Sequence, residues 1–195
     1  MNRQINITKT GTTTLATAGK YCDRNIDVNV TMLSADEIVE KTVTEYRNNS
    51  ITTLDSYVFR NCAKLTTAYI PNLTSIGTQT FYYCITLENF DFSSLKTVGT
   101  DGFRYCYKVN RLAAPIESIA AQGFQHCLGL YTLILRPNTT NTVATLANIN
   151  AFNNTPIEKG TGYIYVPDAL VASYKTATNW STYANQIKPI SELGG

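Results

Sequence analysis

The stretch FRNC at residues 59–62 decides the fold, because the chain repeats its Phe and its Cys at a fixed interval. The Phe-x-x-Cys pattern returns as FYYC at 81–84, FRYC at 103–106 and FQHC at 124–127. Successive Cys residues are 22, 22 and 21 positions apart. Self-similarity at such a period is typical of a solenoid built from one repeated unit.

Further apolar positions keep the same interval. One apolar residue stands five before each Phe, at Leu54, Ile76, Val98 and Ile119. An L-x-x-L-x-L pattern follows each Cys, with members Leu65, Ala68 and Ile70, then Leu87, Phe90 and Phe92, then Val109, Leu112 and Ala114, and finally Leu130, Leu133 and Leu135. One unit cannot bury its own apolar face, so stacked units must share a continuous core.

This stacking predicts the internal arrangement. We expect one short parallel strand per unit, at about residues 43–46, 66–70, 88–92, 110–114 and 131–135. The three-residue spacing of Phe and Cys places both on one side of a single turn of helix or 3₁₀ helix. The Phe residues should form one internal ladder and the Cys residues a second, in which Cys acts as a small buried hydrophobe.

The cysteines favour neither disulfides nor a metal. Five Cys is an odd number, no CxxC occurs, and the single histidine, His126, stands beside only one Cys. Inward side chains on parallel coils also give the wrong dihedral for a disulfide. We therefore predict buried thiols at Cys62, Cys84, Cys106 and Cys127, and neither a metal nor another cofactor.

The unit resembles the BspA-type leucine-rich repeat. The resemblance rests on Ile76-Gly77 and Val98-Gly99, each followed by Phe-x-x-Cys, a Leu or Val and a short strand. It covers residues 51–137 clearly and weakens near Phe152. It implies an α/β repeat fold, a right-handed leucine-rich-repeat solenoid of about 22-residue units. Such repeats are common in bacterial surface proteins and in phage-encoded proteins.

The flanking segments predict caps. SADEIVEK begins with Ser34 and has Glu37 three residues later, a capping box that predicts a short N-terminal cap helix. Beyond the repeats, FNNTP at 152–156 echoes Phe-x-x-Cys with Thr155 in the Cys place, YIYVP at 163–167 predicts a last strand, and PDALVASYKTA predicts a helix. The closing segment NQIKPI follows Trp180, the expected anchor of the C-terminal cap.

These features divide the chain into four parts. Residues 1–31 form an N-terminal β module, 32–50 a cap helix and first half-repeat, 51–137 the repeats, and 138–195 a modified repeat and C-terminal cap. Residues 1–31 alternate apolar and polar residues at 5–7, 12–15 and 26–30, which predicts a small β element for docking or assembly. This segment also resembles short N-terminal modules of virion and tail-associated proteins of phages and prophages.

Composition excludes several function classes. The net charge is +2 and only 15% of the residues are charged, which leaves no basic field for nucleic acid. No apolar run has the length of a signal peptide or a membrane span, so we expect a soluble chain without classical secretion. His126 beside Cys127 suggests a nucleophile only formally, because catalysis also needs an orienting group and a pocket. For Asp91 and Arg111, a surface ion pair is the favoured interpretation over a charged site.

Two surfaces are candidates for recognition. The residues between the apolar strand positions point to the concave surface, and the candidate site there comprises Glu45, Arg47, Thr67, Tyr69, Asn89, Asp91, Arg111 and Thr132, with Ala113 and Ile134 on the same face. The opposite side carries a tyrosine-rich patch, formed by Tyr82, Tyr83, Arg104, Tyr105 and Tyr107. Its side chains either form a rival interaction surface or pack between coils.

Two function classes follow. The first is a non-catalytic structural or adhesion protein of a phage or prophage particle, located in the virion. Its partners would be other particle proteins or a host-surface protein or glycan. The second is a BspA-like adhesin on the bacterial cell surface. The sequence leaves open the identity of the ligand, whether the chain belongs to the head or the tail of the particle, and whether it forms homo-oligomers. An enzyme is the least favoured function class.

Overall fold

The structure is a computed structural model that describes residues 32–33 and 43–194. The predicted β element within residues 1–31 and the predicted cap helix that begins at Ser34 lie outside the described residues. The repeats, the modified repeat and the C-terminal cap lie within them. The boundaries drawn between these parts stay a prediction.

Thirteen short strands account for most of the regular structure. In chain order they are β1 (Met32–Leu33), β2 (Glu45–Arg47), β3 (Thr53–Leu54), β4 (Thr67–Tyr69), β5 (Ser75–Ile76), β6 (Asn89–Asp91), β7 (Thr97–Val98), β8 (Arg111–Ala114), β9 (Ser118–Ile119), β10 (Thr132–Leu135), β11 (Thr145–Leu146), β12 (Tyr163–Val166) and β13 (Ile187–Pro189). One α-helix, α1, spans Val171–Thr176. The 3₁₀ helices span Ile149–Phe152, Asp168–Leu170, Trp180–Tyr183 and Ile190–Gly194.

Every strand pairing between the described strands is parallel, and each repeat contributes two strands to the stack. Strands β2, β4 and β6 form one sheet, and β8, β10, β12 and β13 form a second. A row of two-residue strands, β1, β3, β5, β7, β9 and β11, forms the third sheet along the other side of the coil. The predicted parallel strands and the solenoid of leucine-rich-repeat type are confirmed.

The first sheet stops at β6, and no strand pairing joins β6 to β8 among the described residues. The interruption was not predicted. It falls where Phe90 of β6 and Phe92, which directly follows β6, occupy the two inward positions, with their ring centroids 5.1 Å apart. The equivalent inward residues of β4 and β8 are Ala or aliphatic. We attribute the interruption to these two rings, since they need more space beside the next coil than aliphatic side chains do.

The predicted phenylalanine ladder is present and confirmed. Phe81 stacks on Phe103 with ring centroids 5.4 Å apart and an interplanar angle of 2°. Phe59 and Phe124 extend the ladder at its two ends, and Phe152 of the modified repeat stacks on Phe124 at 5.7 Å and 2°. All of these rings are fully buried, so the ladder forms the centre of the core.

The cysteine ladder is also confirmed, and it has hydrogen bonds that the sequence did not predict. The four thiols predicted to be buried form no disulfide and are fully buried. The thiols of Cys84, Cys106 and Cys127 each donate to the carbonyl of a Phe in the preceding coil, at 2.9–3.1 Å. Thr155, in the Cys place of the modified repeat, donates instead to Phe152 of its own turn.

The turn that joins Phe to Cys differs from the predicted helical or 3₁₀ turn. The backbone N–H of each Cys does donate to the carbonyl of the Phe three residues earlier, for example Cys106 to Phe103 at 3.0 Å. The residue just before each Cys, however, has a positive φ between 60° and 64°. This left-handed residue ends the turn after one hydrogen bond, because right-handed helix cannot continue through it.

The C-terminal cap closes the stack through aromatic side chains. The Trp180 indole Nε1 donates to the carbonyl of Ala144 at 2.6 Å, and the Tyr174 hydroxyl accepts from the N–H of Ala144 at 2.9 Å. Both rings are almost fully buried, and Trp180 also contacts Phe152. The predicted helix after Pro167 is confirmed as a 3₁₀ turn followed by α1, whereas the strand β13 inside NQIKPI was not predicted.

Candidate functional site

The predicted concave surface corresponds to the outward side chains of β2, β4, β6, β8 and β10, which we call the strand face. Parallel register brings them into two rows that run across the coils. The first row holds Glu45, Thr67 and Asn89 in the first sheet and Arg111 and Thr132 in the second. The second row holds Arg47, Tyr69 and Asp91. Whether these residues bind a partner stays a prediction.

The N-terminal end of the strand face combines a cation with an aromatic ring. The guanidinium of Arg47 lies over the ring of Tyr69, 5.6 Å from its centroid, and also pairs with Glu45. Tyr69 is 39% exposed. A solvent-exposed ion pair adds little to stability, so this cluster contributes little to holding the fold together.

The strand face extends further than the sequence indicated, through β12 and β13. Register places Tyr163 beside Thr132, and Tyr165 between Ile134 and Lys188. The Lys188 ammonium lies 4.2 Å from the centroid of the Tyr163 ring. The alternation in YIYV could have identified both tyrosines as outward-facing. No sequence pattern predicted that Lys188 faces outward, because β13 lies outside the repeats.

Two expectations about this face are wrong. Ile134 is buried at 4% exposure between Ala113 and Tyr165 of the neighbouring strands, so it offers no contact surface. Asp91 and Arg111 form none of the ion pairs found among the described residues. Asp91 accepts a hydrogen bond from the N–H of Ser93 at 2.9 Å, and the interruption between β6 and β8 separates it from Arg111.

The strand face can therefore bind by hydrogen bonds, aromatic contacts and charge. Thr67, Asn89 and Thr132 supply neutral hydrogen-bonding groups in its middle. Each end has a cation placed over a tyrosine ring, which is Arg47 over Tyr69 at one end and Lys188 over Tyr163 at the other. Exposed Tyr and Arg are frequent in contact surfaces, because each combines apolar area with hydrogen-bonding groups.

The tyrosine-rich patch lies on the turns that precede and follow each Cys, away from the strand face. Tyr105 lies at its centre, with the rings of Tyr82, Tyr83 and Tyr107 at centroid distances of 5.4, 6.0 and 6.3 Å. Burial raises the pKa of the Tyr107 hydroxyl, and the neighbouring tyrosines raise it further. Tyr83 is 41% exposed, so the patch packs between coils only in part.

His126 and Cys127 do not form a nucleophile and base. The Cys127 thiol is fully buried and donates to the Phe103 carbonyl at 2.9 Å, and burial raises its pKa well above the ordinary value. His126 stacks on Tyr105 at 4.7 Å, and burial together with Arg104 and Lys159 lowers its pKa. A reactive cysteine needs a lowered pKa and access to solvent, so this thiol is structural.

The described part of the chain offers neither a cluster of metal ligands nor a membrane-spanning helix. Between residues 43 and 194, no three His, Cys, Asp or Glu side chains are grouped so that they could hold a metal ion. Of the helices in the described residues, none has the length and apolar character that crossing a bilayer requires.

The repeat geometry agrees with the match to known families. A family model described as the BspA type leucine rich repeat region matches residues 52–163 in six copies, which is more than half of the chain. The chain belongs to the BspA-type leucine-rich repeat family. The match includes the modified repeat around Phe152, where the sequence pattern is weak.

Other comparisons are more distant. A leucine-rich repeat protein from Bacteroides ovatus ATCC 8483 has a crystal structure that is similar over 67% of this chain, at 16% sequence identity and a TM-score of 0.40. The chain spans 41% of the length of that protein. No curated protein matches the chain. BspA-type repeats, like other leucine-rich repeats, generally serve as interaction modules without catalytic activity, so interaction or adhesion is the role that this family indicates.

Proposed function

We propose that this BspA-type chain is a non-catalytic interaction protein that binds a protein or a glycan through its strand face. The observation that carries the proposal is the placement of a cation over a tyrosine ring at both ends of that face, Arg47 over Tyr69 and Lys188 over Tyr163. Neutral polar side chains lie between them. A surface of this composition recognises by shape and hydrogen bonding, with Tyr and Arg as the expected anchors.

We further propose that the chain acts as a structural and adhesion component of a phage or prophage particle, located in the virion. The support is the resemblance of residues 1–31 to N-terminal modules of virion and tail-associated proteins. Many copies on one particle would strengthen weak contacts, because each additional contact forms at a high effective concentration. A BspA-like adhesin on the bacterial cell surface is the alternative.

The first experiment asks where the chain is found. Particles from the producing strain are purified on a density gradient, and antibody to this chain is applied in immunogold electron microscopy. Label on the particles supports the particle role. Label on the bacterial envelope, with no chain copurifying with particles, supports the adhesin alternative instead.

A deletion tests the role of the N-terminal part. Residues 1–31 are removed and Met32 is kept, because β1 (Met32–Leu33) pairs with β3 at the end of the six-stranded sheet. The shortened chain should fold, as judged by cooperative thermal unfolding, and fail to incorporate into particles. Incorporation at the level of the full chain would show that residues 1–31 have no docking role.

A further inference from the structure

The residue before each repeat Cys has a positive φ, and so does the residue before Thr155 in the modified repeat. Asn61, Tyr83, Tyr105 and His126 have φ of 63°, 61°, 64° and 60°, and Asn154 in the modified repeat has 59°. Asn enters the left-handed region more readily than other residues, whereas a bulky side chain does so at a cost in free energy. The two Asn residues show what the turn alone requires. Tyr83 and Tyr105 therefore need another explanation, whereas His126, like Asn, belongs to a residue type enriched at positive φ.

These aromatic residues belong to one continuous surface. We call it the aromatic edge, and it consists of the tyrosine-rich patch together with Tyr57, Arg60 and His126. His126 stacks on Tyr105 with an interplanar angle of 18°, and the Arg104 guanidinium lies over the Tyr105 ring at 4.9 Å. Tyr57 and Tyr83 are the most exposed tyrosines of this surface, at 45% and 41%, and Arg60 is exposed as well. The aromatic edge therefore presents two tyrosines and an arginine to solvent.

The charge on this surface has one sign. The two positions before and the two after each repeat Cys contain Arg60, Lys64, Arg104 and Lys108 and no Asp or Glu. Arg104 is compensated by Asp101 at 3.2 Å. Arg60 forms none of the ion pairs found among the described residues, and its guanidinium lies between the rings of Tyr57 and Tyr82, at 5.7 and 5.6 Å. The aromatic edge thus contains an arginine that has no acidic partner among the described ion pairs and whose guanidinium packs between two tyrosine rings.

We propose that the aromatic edge is a docking surface for a protein partner that presents carboxylates. Arg60 would bind a carboxylate with both of its terminal nitrogens, a geometry that lysine cannot reproduce. The exposed hydroxyls and ring edges of Tyr57 and Tyr83 would contact the surrounding residues of the partner. Tyr and Arg are enriched among the few interface residues that contribute most of the free energy of protein–protein binding. The proposal does not depend on the strand face.

The same geometry favours a carboxylate over a glycan beside Arg60. Stacking of a sugar ring needs the face of an aromatic ring, and the Arg60 guanidinium lies over a face of both Tyr57 and Tyr82. Arg60 is itself exposed, and a guanidinium pairs more strongly with a carboxylate than with the neutral hydroxyls of a sugar.

The test measures binding of the full chain to poly-L-glutamate, with hyaluronate as a polysaccharide that also bears carboxylates. Arg60→Gln should weaken binding to poly-L-glutamate by about tenfold, because it removes a charge-assisted hydrogen-bonding group. Lys175→Gln removes one positive charge from an exposed position on α1, outside both the aromatic edge and the strand face, and should change the affinity by less than about twofold. An equal loss in the two variants would mean non-specific charge attraction and would overturn the proposal. Tighter binding of hyaluronate than of poly-L-glutamate would overturn it as well.

A second variant separates binding from folding. Tyr83→Asn combined with His126→Asn places at both positions the residue that the chain already has at 61 and 154. Since Asn suits the left-handed backbone, the melting temperature should equal or exceed that of the parent chain, while binding to poly-L-glutamate should weaken. A lower melting temperature with unchanged binding would show that the aromatic residues serve packing alone.

Discussion

The thiol of Cys106 donates a hydrogen bond to the backbone carbonyl oxygen of Phe81 in the preceding coil, with the sulfur and oxygen atoms 3.0 Å apart. The same carbonyl accepts the N–H of Cys84 within its own turn at 3.2 Å. Each Phe carbonyl in the middle of the stack therefore joins its own turn to the next coil. This explains why a small thiol, rather than an aliphatic side chain, suits the position.

Replacing this thiol should destabilise the stack. Cys106→Ala removes both the hydrogen bond and the volume of a buried sulfur atom, and should lower the free energy of unfolding by about 1–2 kcal/mol. Urea unfolding followed by circular dichroism measures the change. An unchanged unfolding midpoint would contradict the role given to the thiol.

Stability should also fall in alkali because of the buried thiols. Burial raises the pKa of Cys106 and Cys127 above the ordinary value, so these thiols ionise in the unfolded chain before they ionise in the folded one. Their contribution is fully present below a pH of about 8.5 and is lost as the pH rises above it, by up to about 1.4 kcal/mol per pH unit for each thiol.

Urea unfolding between pH 7 and pH 10 tests this expectation. A variant with Cys106→Ala and Cys127→Ala is the control, because it retains the tyrosines that also titrate at high pH. The control should lose less stability over this range than the parent chain. If the free energy of unfolding fell equally with pH in the two proteins, the thiols would not be the cause of the pH dependence.

The phenylalanine ladder should be the most sensitive part of the core. Phe103 stacks on Phe81 and Phe124 at 5.4 Å each, so Phe103→Ala leaves a cavity with neighbours on both sides. It should cost about 3–5 kcal/mol, whereas Asn89→Ala on the strand face should change stability by less than about 0.5 kcal/mol. If the two variants unfolded at the same urea concentration, the assignment of inside and outside would be wrong.

Close contact between coils predicts the effect of a single methyl group. An added Cβ at Gly99 would overlap the backbone carbonyl of Gly77 in the preceding coil. Gly99→Ala should therefore cost about 1–3 kcal/mol, since backbone cannot move aside as a flexible side chain can. Ala120 holds the equivalent position in the next coil, and Ala120→Gly should cost about 1 kcal/mol or less. Thermal unfolding of both variants checks the difference.

The repeat made most of the core predictable from sequence. A fixed interval places each repeat Phe and each repeat Cys in the same local environment. One alignment therefore predicted the two ladders, the parallel strands and the buried thiols of the four repeat cysteines. The break in strand pairing after β6 could not be predicted from that alignment. It depends on how the rings of Phe90 and Phe92 fit beside the coil that begins with β8, and this is a property of three-dimensional packing rather than of the interval.

The surfaces were predictable only in part. Strand alternation indicated the outward residues from Glu45 to Thr132, but it failed at Ile134, which its neighbours bury. The left-handed turns were not predicted, because Tyr83 and Tyr105 belong to a bulky residue type that rarely adopts positive φ. Asn61, His126 and Asn154 belong to types enriched at positive φ, but these residues do not recur in every unit.

If the strand face carries the proposed binding function, its substitution should weaken the attachment of particles to host cells. Particles are prepared with the parent chain or with a variant combining Tyr69→Ala, Asp91→Ala and Arg111→Ala. A control with Glu158→Ala and Lys175→Ala removes one charge of each sign from exposed positions outside the strand face.

The three chains should incorporate equally into particles, as measured by quantitative immunoblot. Only the strand-face variant should show weaker attachment, because it loses the outward Tyr69 at the N-terminal end of the face and the outward Asp91 and Arg111 in its middle. Attachment of the strand-face variant equal to that of the parent and the control, at equal incorporation, would contradict the account.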